Sequence, residues 1–198
     1  LGSEDLDMTD LKAAKQTLLA ELREHALVIG DVTLSSGAKA QYYVDARQAL
    51  LRPAGFRAAG ELIAAAAVED RATAVGGPVM AAIPLACAAI AVPAGEGLVG
   101  FFVRKERKEH GLQRWVEGPV GPGSRCLVVE DTVTTGGSTV AAIERIREQG
   151  LEIASVLVVV DRLAGGTEAI EAAAGAPCRA LVDIDELYPD RPDRAGEL

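Results

Sequence analysis

Cys126-Leu127-Val128-Val129-Glu130-Asp131-Thr132-Val133-Thr134-Thr135-Gly136-Gly137-Ser138-Thr139 is the stretch on which the fold turns. An apolar run ends in two carboxylates. A Thr/Gly/Ser loop follows, and Val140 to Gln149 has helical character up to a stop at Gly150. Strand, small-residue loop and helix together form a phosphate site, because the first amides of a helix lack intrahelical acceptors and point at an anion. Gly136 and Gly137 let the backbone close on a ligand with positive φ. Thr134, Thr135, Ser138 and Thr139 add hydroxyl donors. Carboxylates repel phosphate, so the acids require hydroxyls or a metal on the same ligand. A ribose phosphate satisfies both halves. The stretch lacks the G-x-G-x-x-G of dinucleotide sites and the Gly-Lys-Ser/Thr of nucleotide loops. An ordinary helix cap needs one side-chain oxygen, fewer polar groups than stand here.

The chain has 198 residues, 49% of them hydrophobic, which predicts one domain over residues 1–198. A net charge of −9 disfavours nucleic acid and anionic membranes as partners. No apolar run reaches the ~20 residues of a membrane helix. The first seven residues lack the cationic and apolar segments of a signal peptide, and Met8 is a candidate native start. Cys87, Cys126 and Cys178 are far apart in apolar surroundings and read as small buried residues in a reducing cytoplasm. With two histidines, His25 and His110, a zinc site is not expected. His25 reads as a surface residue near a helix end.

Taken in order, residues 9–25 predict a helix capped by Thr9-Asp10. Val28–Leu34 and Gln41–Asp45 predict a hairpin around Ser35-Ser36-Gly37-Ala38-Lys39. Phe56 to Asp70 is an alanine-rich helix. Strands are then expected from Thr73, Leu98, Cys126 and Ile153, with helices between them, one of them from Pro84 to Ala91. A short helix from Glu168 to Ala174, a last strand Arg179–Val182 and an acidic tail complete the chain. Near-continuous apolar strands separated by helices imply an α/β fold with a central parallel sheet covered on both faces. Right-handed crossovers put all carboxyl ends on one edge. There the strands end in Gly76-Gly77-Pro78, Arg104-Lys105, Glu130-Asp131 and Asp161-Arg162, so small residues, cations, carboxylates and an Asp-Arg pair converge on one rim.

Arg104-Lys105-Glu106-Arg107-Lys108-Glu109-His110-Gly111 concentrates four cations in an acidic chain. A solvated charged loop would explain this composition. Its departure from a strand at the ligand rim favours a segment that folds over a ligand. Trp115 reads as packing for that segment.

Glu130 to Ser138 resembles the phosphoribosyl-pyrophosphate (PRPP) signature of the type I phosphoribosyltransferases. The resemblance implies that Glu130 and Asp131 hold the ribose hydroxyls and that Thr132, Val133, Thr134, Thr135, Gly136, Gly137 and Ser138 hold the 5′-phosphate. Arg104, Lys105, Lys108, His110 and Gly111 resemble in order and spacing the loop of the orotate phosphoribosyltransferases. Leu34-Ser35-Ser36-Gly37 and Tyr42-Tyr43-Val44-Asp45-Ala46-Arg47 are similar to that family's hood hairpin. This implies a type I phosphoribosyltransferase fold, with a small N-terminal hood at about 9–50 and a PRPP-binding core at about 56–183.

The implied reaction is orotate plus PRPP to orotidine 5′-monophosphate and pyrophosphate, in de novo pyrimidine biosynthesis. The implied catalytic set is Lys105, Lys108, His110 and Asp131, with Arg104 also on PRPP and with Thr134 and Arg162 on orotate. Cations that grip the departing pyrophosphate more tightly as charge builds lower the barrier, and His110 suits proton donation there. Asp131 would stabilise positive charge on the ribose. Mg²⁺ would be bound mainly through PRPP and water, with no dedicated protein ligands. The resemblance also implies a homodimer in which loop 104–114 is shared across subunits.

Ser35 and Ala81 depart from the pattern, standing where many members carry lysine; Lys39 and Arg47 are candidate replacements. A purine-type phosphoribosyltransferase remains the other enzyme reading, and a PRPP-sensing regulator the non-enzyme one. A regulator is disfavoured by the lack of a basic DNA-binding helix before the sheet.

Overall fold

A computed structural model of the chain describes residues 8–33, 39–106 and 114–194. Helix α1 (Met8–Glu21) runs into a wider turn over Leu22–Ala26 and buries Ala14, Leu18 and Leu22. Thr9 and Asp10 lie inside its first turn instead of capping it. The hood follows as an antiparallel pair, β1 (Leu27–Thr33) and β2 (Lys39–Val44), irregular between Ile29 and Val32. Leu34 to Ala38, with the expected Ser35-Ser36-Gly37 contacts, lie outside the described residues.

One turn of helix, α2 (Arg47–Leu50), leads to α3 (Pro53–Glu69), which starts earlier than expected because Pro53 suits the first helical turn. The core sheet is built from β3 (Ala74–Pro78), β4 (Val99–Val103), β5 (Val116–Glu117), β6 (Arg125–Val133), β7 (Glu152–Asp161) and β8 (Cys178–Asp183). Their spatial order is β5-β4-β3-β6-β7-β8, all parallel except the antiparallel edge strand β5. The expected parallel sheet is therefore present, with an edge that the sequence pattern did not announce.

Helices α4 (Ala82–Ala91), α5 (Gly137–Glu148), α6 (Gly166–Ala174) and the single turn α7 (Ile184–Leu187) complete the fold. Alternation along the central strands sorts the core into two layers. Leu127, Val129, Leu157 and Val159 pack with α1, α3 and α4, whereas Cys126, Val128, Val156 and Val158 pack with α5 and α6. Each such buried aliphatic side chain contributes about 1.5–3 kcal/mol, so packing outweighs local propensity in holding the sheet. Strand order reverses between β3 and β6, the crevice where open α/β sheets bind ligands.

Two expectations are corrected here. Cys87 is exposed and Cys178 half-buried; only Cys126 is a buried thiol. The tail after Asp183 also begins with a helical turn, because Asp183 accepts from the Glu186 amide at 2.7 Å while the Glu186 side chain accepts from the Asp183 amide at 3.2 Å. His25 is a partly exposed residue at the end of the first helical segment, 3.9 Å from Glu21 and 3.7 Å from Glu24.

Candidate active site

Strand β6 carries the acids to the crevice. Glu130 is only 6% exposed, and its Oε2 accepts from Thr139 Oγ1 at 3.0 Å and Ser138 Oγ at 3.3 Å. Burial, reinforced by the neighbouring Asp131 charge, pushes its carboxyl pKa up, against the pull of those hydroxyls. Asp131 is more open. Its Oδ1 accepts from the Thr132 amide at 2.8 Å, and burial raises its pKa against that hydrogen bond and the Arg47 charge. Burial makes the ionised forms of both acids costly, so a ligand that brings sugar hydroxyls or positive charge to them would offset that cost.

The loop turns into α5 at Gly136, the N-cap residue, with φ +77°. A side chain there would meet Gly166 O at 2.7 Å and Ile170 Cγ1 at 2.9 Å, so glycine is required both for the turn and for the packing of α6 beneath it. Gly136 offers no side-chain cap, and the first-turn amides of Gly137, Ser138 and Thr139 face the crevice end of the helix. Thr134 and Thr135 are exposed beside them. Val133, by contrast, buries its side chain in the core and its carbonyl accepts from the Arg162 amide at 2.9 Å, so it shapes the loop. Thr132 Oγ1 is buried without a hydrogen-bond partner among the described residues.

Across the crevice, β3 ends in Gly76-Gly77-Pro78. A Cβ on Gly77 would lie 2.2 Å from Val129 O, so only glycine permits this approach to β6. A cleft of about 320 Å³ opens where β3 and β4 end, lined by Val79, Phe102, Arg104, Lys105 and Glu106. The larger cavity, about 720 Å³ and lined by α1 and α3 residues including Asp10, Arg57 and Glu61, contains none of the expected site groups.

Arg104 and Lys105 thus sit where expected, Lys105 exposed. Arg107, Lys108, His110 and Gly111 lie outside the described residues. The roots of that loop are fastened. The Arg104 amide donates to Trp115 O at 2.9 Å, Arg145 Nη1 donates to Arg104 O at 2.8 Å, and the Arg145 guanidinium lies 4.2 Å from the centre of the Trp115 ring. Trp115 packs against the core beside α5 and ties down Arg104; the loop residues it was expected to pack lie outside the described residues. Arg145 was not foreseen, since an arginine on an exposed helix face carries no pattern that distinguishes it.

From the hood, Arg47 is held by Asp45, Nε to Oδ1 at 2.7 Å, and this hydrogen bond draws the Asp45 pKa below the usual carboxylate range. Asp45 and then Asp131 raise the Arg47 pKa, so its charge faces the acid-tipped strand. Of the two candidate replacements for the missing lysines, Arg47 is the one whose charge is felt by Asp131. Arg162 leaves β7 at the same rim. Asp161 beside it is spent on structure, accepting from the Leu163 amide and from Thr167 Oγ1, each at 2.9 Å.

Residues 48–174 match the model of the phosphoribosyl transferase domain family. The chain is 46% identical over 185 residues to an orotate phosphoribosyltransferase of Streptomyces avermitilis, covering 92% of this chain and 100% of that protein. The fold is similar to the crystal structure of Mycobacterium tuberculosis orotate phosphoribosyltransferase in complex with Fe(III) dicitrate, with a TM-score of 0.81 at 39% identity, over 88% of this chain and 99% of that one. It is also similar to a structure of the M. tuberculosis protein in complex with PRPP, with a TM-score of 0.76 at 35% identity, over 88% and 98% of the two chains.

Proposed function

The chain belongs to the orotate phosphoribosyltransferases, within the phosphoribosyl transferase domain family, and from that premise we propose how its residues transfer 5-phosphoribosyl from PRPP to orotate. The products are orotidine 5′-monophosphate and pyrophosphate. The observation that carries the site assignment is the meeting of the Glu130–Asp131 pair, with Glu130 buried and hydroxyl-bonded, and a glycine-started helix at the switch point of the sheet.

The loop Thr132–Ser138 and the first amides of α5 hold the 5′-phosphate. Glu130 fixes the loop through Ser138 and Thr139, and Asp131 meets the ribose as positive charge develops at C1. Arg104 and Lys105, with Lys108 and His110 from the same loop, neutralise the departing pyrophosphate, and His110 donates a proton or hydrogen bond to it. Thr134 and Arg162 recognise orotate, the guanidinium matching its carboxylate bidentately.

Among the described residues no three His, Cys, Asp or Glu side chains come together as a metal cage. Mg²⁺ would enter on PRPP and be held mainly by its oxygens and by water, with Asp131 at the ribose end of the site. Such a cation supplies charge neutralisation for the pyrophosphate.

A homodimer sharing loop 104–114 is part of the proposal. It is supported by Lys105, exposed at the crevice, and by the exposed apolar residues Met80, Ile83 and Ile90, with Cys87, on and beside α4. Three free thiols suit a cytoplasmic location. No helix among the described residues is long and apolar enough to cross a membrane.

The test is a mass balance: with Mg²⁺ and PRPP, orotate lost should equal pyrophosphate released and orotidine 5′-monophosphate formed. Release of pyrophosphate without nucleotide would overturn the reading.

A further inference from the structure

Arg162 is only partly exposed, and its Nε is buried with no hydrogen-bond partner among the described residues. A guanidinium keeps its charge and presents five donors in a rigid plane, and with Nε unpaired another contact is needed to fix that plane. The ring of Tyr42 supplies this. Arg162 Cζ lies 5.0 Å from its centroid, within cation–π range.

Tyr42 comes from hood strand β2 and is 3% exposed. It is fixed from behind by the segment after α7. Its hydroxyl donates to Asp193 Oδ2 at 3.1 Å, and the Tyr188 ring meets it edge-on at 5.6 Å and 82°. Asp193 also accepts from Arg191 Nη1 at 2.8 Å, and Arg191 Nε donates to Asp185 Oδ1 at 2.8 Å. A continuous chain of contacts therefore runs Asp185–Arg191–Asp193–Tyr42–Arg162, from the C-terminal segment to the rim.

We propose that Tyr42, held by Tyr188 and Asp193, is a positioning residue for the base: it fixes the plane of the Arg162 guanidinium before substrate arrives. A bidentate grip on a carboxylate depends on that plane, and a guanidinium already constrained loses less conformational freedom on binding. The C-terminal segment 188–194 thereby contributes to selection of the base through the hood. This inference rests on the assignment of Arg162 to orotate.

The experiment is steady-state kinetics with orotate and Mg²⁺–PRPP on the wild type, Tyr42→Leu, Tyr42→Phe, Asp193→Asn, Arg162→Ala and the Tyr42→Leu/Arg162→Ala double variant. Tyr42→Leu should raise KM for orotate roughly three- to tenfold, the scale of one cation–π contact, with KM for PRPP and kcat nearly unchanged. Tyr42→Phe keeps the ring and should recover most of the affinity. Because Tyr42 acts through Arg162, the double variant should match Arg162→Ala alone. Equal rises in both Michaelis constants, or full additivity with Arg162→Ala, would overturn the inference.

Should Tyr42→Leu fail to fold, Asp193→Asn decides. A selective rise in orotate KM supports the role, and no change in either constant refutes it. A wild type that leaves orotate untouched would instead remove the functional reading itself.

Discussion

Thr139 Oγ1 donates to Glu130 Oε2 at 3.0 Å, joining the first turn of α5 to the acid near the end of β6. Burial makes that carboxylate costly, so its proton is held to higher pH in the native chain than in the unfolded one. The native state then binds more protons across the window from the ordinary glutamate range up to the raised value, and stability falls as pH rises through it. Glu130→Gln keeps an acceptor for Thr139 and removes the charge. Its melting temperature should exceed that of the wild type at pH 8, by roughly 2–4 °C for each kcal/mol relieved, with a smaller gain at pH 5, and its kcat/KM for PRPP should fall. A thermal melt at the two pH values checks this; a gain that grows toward acid would be the wrong sign.

Lys105→Ala and Lys108→Ala should each lower kcat by about 10²–10³ with the melting temperature unchanged, because the contacts proposed for them strengthen only as pyrophosphate leaves. An unchanged rate in both would take the loop out of the reaction.

Arg145→Met removes the hydrogen bond to Arg104 O and the stack on Trp115. We expect a stability loss of about 1–2 kcal/mol in denaturant melts. Turnover should fall while orotate KM holds steady, since Arg145 fastens the strand end from which Lys105 departs. Loss of orotate affinity instead would place Arg145 in a different role.

Much of this was legible in the chain because the candidate site groups sit at strand ends. Glu130-Asp131, Arg104-Lys105 and Asp161-Arg162 each close an apolar run, and parallel topology leaves them no choice of edge. Side-chain contacts between distant elements were not legible. Arg145 reads as an ordinary solvated helix charge until α5 is seen against Trp115. Cys87 reads as buried because α4 is apolar on every face, and composition alone does not say which side meets the sheet. Strand β5 is two residues long, too short to show a period. The α7 turn is specified by a reciprocal cap inside what looks like an acidic tail. Asp161 looked like half of a ligand pair, and the geometry of a tight turn into α6 claims it instead.

The central claim is tested most directly by kcat/KM for orotate, adenine, hypoxanthine and uracil with Mg²⁺–PRPP, orotate being followed by its absorbance. Orotate should be consumed far faster than uracil, which has the same ring without the carboxylate assigned to Arg162, and faster than either purine. Uracil or a purine turning over as well as orotate would contradict the account.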